Sequence, residues 1–134
     1  MLLHALLLAL SSGHAPAPAR PAAPYPVRLT EADQELDYAR FGGIHCISAR
    51  VRGVRGLGGT VYWVSADGQR ITAYRLGHRL WQTAVGPRFQ RRLPHARVTK
   101  LILCSNTVFV DVGPRGYAEL NRQTGGWQAF RTEP

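Results

Sequence analysis

From Ile44 to the C-terminus, apolar and polar residues alternate with a period of two, the spacing of half-buried strands. The pattern is plainest at residues 60–85, which divide into TVYWVSA, QRITAY and RLWQTAV. Val, Tyr, Trp, Ile and Thr fill these runs, as a pleated, half-buried surface prefers. Asp67-Gly68 separates the first two runs and is the pair favoured where both turn residues need positive φ. Gly77 lies in the second turn.

Upstream, residues 44–52 read as one strand. His45, Ile47, Ala49 and Val51 face one way; Cys46, Ser48, Arg50 and Arg52 face the other. The glycine-dense GVRGLGG that follows leads into a strand and contains no Lys, so it reads as a loop rather than a phosphate cradle. The proline-bounded connector GPRFQRRLPH leads to ARVTKLILC, TVFVDV, YAELN and WQAFR, separated by Ser-Asn, Gly-Pro-Arg-Gly and Gly-Gly turns. That is four strands before the connector and four after it. One helix is expected, over residues 30–42, with Thr30 as its cap, Asp33 three residues on, acidic first turns and Gly42-Gly43 as its stop. Residues 20–29, with three prolines, read as an extended tether.

The expected fold is therefore all-β. Two four-stranded antiparallel units, about 44–86 and 96–132, form one domain over residues 43–134, preceded by the short helix. The units either cover each other or complete a larger ring by homo-oligomerisation. The length of 134 residues suits one small domain.

The front end changes the picture of compartment. MLLHALLLAL has the length of a signal-peptide apolar region and is too short to span a bilayer. Ala17-Pro18-Ala19 offers the cleanest cleavage site, so residues 1–19 are expected to be removed and the protein to be exported, periplasmic or secreted. Two cysteines, Cys46 and Cys104, remain. In an oxidising compartment an even count suggests one disulfide, worth about 4 kcal/mol for a loop of this length. The alternation does not settle this, and two separate thiols remain open.

Charge narrows the partners. The net charge is +9, and sixteen of the seventeen basic residues are Arg. From Tyr38 onward fifteen Lys or Arg face four acids, a net of +11. Such a surface attracts polyanions. For an exported protein these are anionic glycans, lipid surfaces or acidic proteins. Nucleic acid is disfavoured by export, and single-stranded nucleic acid becomes the alternative if the leader is retained.

The two groups of strands resemble each other. Thr60-Val61-Tyr62 matches Thr107-Val108-Phe109, Ala73 matches Ala118, and Trp81-Gln82 matches Trp127-Gln128. A period in the forties with four strands per unit is a propeller signature. On TVYWVSADGQRITAYRLGHRLWQ at 60–82 and TVFVDVGPRGYAELNRQTGGWQ at 107–128, the chain resembles the quinoprotein-type (PQQ-like) β-propeller repeats. The resemblance covers about residues 44–132 and implies blades whose Trp81 and Trp127 pack between sheets. Two units fall short of the four to eight blades of a closed ring. With no adjacent cysteine pair and no Glu/Asn/Asp set to hold calcium and a quinone, the blade is carried over and the cofactor is not.

Candidate chemistry is sparse. His45, His78 and His95 lie in unlike contexts, and none has a partner at metal-ligand spacing. No G-x-S-x-G occurs. Asp111 shares a face with Thr107 and Phe109, where an Arg partner is expected. Basic and aromatic residues interleave at Arg75, Arg79, Arg88, Phe89, Arg91 and Arg92, and Trp63 has no aromatic counterpart in the second unit. These seven are the candidate binding residues. The expected function is a non-catalytic binding module with an Arg-rich face for an anionic partner. The alternative is an enzyme or cofactor protein with a site between the units, signalled by His45 beside Asp111 or a serine.

Overall fold

The computed structural model describes residues 22–34 and 41–134. The predicted leader and the middle of the predicted helix lie outside them. Ten strands are present: β1 (Thr30–Ala32), β2 (Phe41–Cys46), β3 (Gly53–Arg55), β4 (Val61–Val64), β5 (Arg70–Arg75), β6 (His78–Ala84), β7 (Val98–Cys104), β8 (Thr107–Val112), β9 (Gly116–Asn121) and β10 (Trp127–Thr132). They form two five-stranded sheets, ordered β1-β3-β4-β5-β6 and β10-β9-β8-β7-β2. The β1–β3 pair is parallel. Each sheet thus holds a four-strand antiparallel meander with one further strand added at its edge, and the all-β expectation stands.

The residues expected to open a helix do not. Val27–Leu29 form a 3-10 turn, and Thr30 donates its hydroxyl to Val27 O at 2.7 Å to close that turn. Thr30–Ala32 then pair with Gly53–Arg55. Sequence-local capping yields here to tertiary bonding, because Glu31 and Asp33 both reach the side chain of His45. Residues 22–29 are likewise no free tether, since Tyr25 stacks on Trp63.

The strand expected at 44–52 ends at Cys46, and the next strand, β3, forms from Gly53–Arg55 in the glycine-dense stretch expected to be a loop. Ser48 Oγ accepts from the backbone N–H groups of Arg50 and Val51, both at 3.2 Å, and Ser48 N donates to Val51 O at 2.9 Å. A serine that bonds its own backbone competes with the sheet ladder. The resulting turn hands the chain from one sheet to the other: β2 pairs with β7 and β3 with β4.

The turn chemistry also redistributes. Arg75 pairs with His78 across Leu76-Gly77, whose φ values are 50° and 78°. This is the two-residue turn with both residues left-handed. At Asp67-Gly68 only Gly68 is left-handed, at 73°, with Gly68 N donating to Ser65 O at 2.8 Å.

Inward residues of both sheets share one core: Val54, Tyr62, Val64, Ile71 and Trp81 from one, Leu101, Leu103, Val108, Val110 and Leu120 from the other. The connector adds Val85, Phe89, Leu93 and Ala96. Burial of each large side chain stabilises by about 1.5–3 kcal/mol. Across the core, Trp81 Nε1 donates to Arg122 O at 3.1 Å and Thr83 Oγ1 to Gly125 O at 2.7 Å. Gly125 has φ 73°, and a Cβ there would run into the Trp81 ring.

Strand pairing shifts the matched positions, by one residue in β8 and by three in β10. Ala73 faces Tyr62 and Trp81, whereas Ala118 faces Val110 and Phe130. Val110 rather than Phe109 therefore stands opposite Ala118 as Tyr62 stands opposite Ala73, while in β10 the register places Phe130 opposite Ala118 and Trp127 packs against the core. A slip of one residue exchanges the two faces of a strand, which is why Val110 is buried and Phe109 only half-buried.

Candidate functional site

Trp63 lies on the face of its sheet turned away from the core, because Tyr62 and Val64 on either side of it point inward. Its cross-strand neighbours are Gly53 and Thr72. Gly53 is required here: a Cβ at that position would lie 2.7 Å from Trp63 Cε3. The indole therefore settles over bare backbone, and Tyr25 stacks on it with ring centroids 5.1 Å apart and planes at 21°. Tyr74 meets Tyr25 in turn at 5.3 Å. Burial raises the Tyr25 phenol above its ordinary value, with Arg55 opposing.

Beside this aromatic cluster runs a groove of about 640 Å³. Pro26 and Leu29 from the 3-10 turn, Ile47, Ala49, Trp63 and Val98 form its apolar walls, and Arg52 and Arg97 supply its charge. Arg52 is pinned by its backbone, with Arg52 N donating to Leu29 O at 2.7 Å. Its Nη2 donates to the carbonyls of Val64, at 3.3 Å, and Ser65. Its Nε is buried without a hydrogen-bond partner. Burial lowers the Arg52 guanidinium from its ordinary value, the neighbouring Arg97 lowers it further, and Asp67 opposes. Arg97 is exposed and donates Nη2 to Ala66 O at 3.3 Å. Among the described residues neither arginine forms an ion pair. The two adjacent cations have no carboxylate within 4.0 Å to offset their charge.

The other predicted residues scatter. Arg75 and Arg79 sit at the exposed tip of the β5–β6 hairpin, where Arg79 Nη1 donates to Gln82 Oε1 at 3.1 Å. Arg88, Arg91 and Arg92 remain exposed on the connector. Arg88 lies over the rings of Trp127, at 4.4 Å, and Phe130, at 5.0 Å. Arg92 Nη1 donates to Thr132 Oγ1 at 3.3 Å. Phe89, expected at the surface, is only 1% exposed and belongs to the core. The connector turns once at Gly86–Arg88, and this rotation buries Phe89 beneath Trp127 and Phe130. Of the seven residues, only Trp63 reaches the groove.

Cys46 and Cys104 are both free thiols. In the β2–β7 register Cys46 faces Lys100, while Cys104 faces Phe41. Four residues of strand separate the two positions, about 13 Å. A disulfide needs Cα atoms within about 7 Å, so no bond joins them.

His45 stands beside neither Asp111 nor a serine. Its Nδ1 lies 2.5 Å from Glu31 Oε1 and its Nε2 lies 2.6 Å from Asp33 Oδ1. The Asp33 side chain is fully buried, Oδ1 also accepts from Gly43 N at 3.1 Å, and Oδ2 has no partner. Each ring nitrogen thus has its own carboxyl partner. This closed arrangement ties β1 of one sheet to β2 of the other. Among the described residues no group of His, Cys, Asp or Glu converges on a metal position.

A second cavity, about 690 Å³, lies over the outer face of β7–β10. Lys100, Asp111, Tyr117 and Arg131 form one cross-strand row along it. Asp111 makes no ion pair there, contrary to expectation. Acids are interspersed among its cations, and the excess of charge is smaller than in the Trp63 groove.

Arg52, Arg97 and the Glu31–His45–Asp33 set were not singled out as partners in the sequence. Arg52 stands in the outward set of the alternation, but nothing local joins it to Arg97, forty-five residues away. No protein-family model matches the chain, and no curated protein matches it. No helix among the described residues is long and apolar enough to cross a membrane.

Proposed function

We propose that this chain is a small exported binding module, built from two blade-like meanders of the quinoprotein type, whose arginine-rich surface takes an anionic partner. One observation carries the reading. Leaving Arg122 aside, no arginine among the described residues lies within 4.0 Å of a carboxylate. The cations are thus free to act outward rather than neutralised within the fold. The buried, unpaired Nε of Arg52 concentrates that imbalance at the Trp63 groove. The catalytic alternative rests on His45, and His45 spends both ring nitrogens on buried or half-buried carboxylates.

The test is retention on a sulfated polysaccharide against the same uncharged polysaccharide over a salt series. Binding at about 0.05 M salt that weakens steadily towards about 0.5 M, with none to the uncharged matrix, is the expected result. Equal retention on both matrices, or no binding of any anion at low salt, would refute the reading.

A further inference from the structure

We propose that the Trp63 groove binds a single-chain anionic amphiphile, a medium-chain carboxylate, with its head between Arg52 and Arg97 and its alkyl chain along Leu29, Ile47 and Trp63. The inference rests on the anion-binding reading above and names the ligand of its strongest site.

The geometry decides the class. A volume of about 640 Å³ is that of a small-molecule site, not of an extended docking face. Its walls are mostly apolar: Pro26, Leu29, Ile47, Ala49, Trp63 and Val98. A glycan would leave its hydroxyls against those walls without partners, which is costly. An alkyl chain loses nothing there and gains about fourfold in affinity per methylene removed from water. The charge lies at one place only, where Arg52 and Arg97 meet. A planar carboxylate can accept from both guanidinium groups, and each is already anchored on carbonyls of the β4–β5 turn, Arg52 at Val64 and Ser65 and Arg97 at Ala66. The head is thereby received by fixed donors, with little side-chain entropy left to lose.

The measurement is calorimetric titration of the full-length protein with dodecanoate, octanoate and dodecanol, supported by the fluorescence of Trp63. Dodecanoate should bind, octanoate should bind more weakly by up to about fourfold for each methylene lost from the groove, and dodecanol should bind at least about tenfold more weakly than dodecanoate. Arg97→Gln, at an exposed position that leaves the core intact, should weaken dodecanoate about tenfold and leave dodecanol unchanged. Trp63→Phe should abolish the fluorescence response while Trp81 and Trp127 still report a folded chain. Equal affinity for octanoate and dodecanoate, or for dodecanol and dodecanoate, would overturn the amphiphile. So would binding to vesicles of an anionic phospholipid without binding to monomeric dodecanoate. If the sulfated polysaccharide binds and dodecanoate does not, this inference fails alone; if neither binds, the anion-binding reading fails with it.

Discussion

Tyr117 shows how single side chains on the outer faces are held. Its hydroxyl donates to Glu119 Oε1 at 2.8 Å, Phe109 stacks against it, and Arg131 lies over its ring at 4.9 Å. Burial, reinforced by that hydrogen bond, pushes the phenol far above its ordinary value of 10.0, with Arg131 opposing. A group whose folded pKa is raised stabilises the fold fully below its unfolded value. That contribution is lost as pH climbs from about 10 towards the raised value. Denaturant midpoints measured between about pH 9 and pH 11 should therefore fall, and Tyr117→Phe should flatten the fall. An unchanged slope in the variant would show that Tyr117 is not the group responsible. YAELN itself supplies Glu119, two residues on and on the same face, but the ring contacts Phe109 and Arg131 come from β8 and β10. By contrast, the outward direction of Trp63 was readable from its place between Tyr62 and Val64, and only the stacking partner Tyr25 was not.

At the scale of elements, the Glu31–His45–Asp33 tie is the feature that sequence patterning missed most fully. Acids at 31 and 33 before an apolar-periodic stretch read as a helix start. A histidine in an alternating run reads as a core residue, which His45 is. Their meeting depends on the parallel addition of β1 beside β3 and on β2 joining the opposite sheet, both long-range events. His45→Ala leaves the fully buried Asp33 carboxyl without its side-chain hydrogen-bond partner and should destabilise by about 1–3 kcal/mol. Glu31→Gln, at a side chain 42% exposed, should cost about 0–1 kcal/mol. Chemical denaturation of the two variants distinguishes them, and equal small losses would mean that the tie does not hold the sheets. The seven strands from β4 to β10 were legible because each carries its own alternation and turn. β3 was missed because its Gly53–Arg55 open the glycine-dense stretch that reads as a loop, and the expected strand before it ran on past Cys46 because Ser48 fits the outward set as well as any polar residue.

For the molecule as a whole, the two free thiols give a direct check on how the sheets are arranged. Oxidant and reductant should leave the melting temperature unchanged, since Cys46 and Cys104 stand about 13 Å apart along the β2–β7 pair. A thiol reagent should modify exposed Cys46 first. Cys104 should follow more slowly, because burial raises its thiol pKa and Arg122 only partly offsets this. A reductant-sensitive melting temperature would contradict the register. By itself the sequence determined the class of fold, the number and span of most strands and the surplus of positive charge, because periodicity, turn residues and formal charge are local properties. Only the tertiary structure decided which sheet each edge strand joins, that Phe89 is core and Arg52 groove, and which carboxylates face His45. Those outcomes depend on contacts between residues far apart in the chain, where a slip of one position exchanges inside for outside.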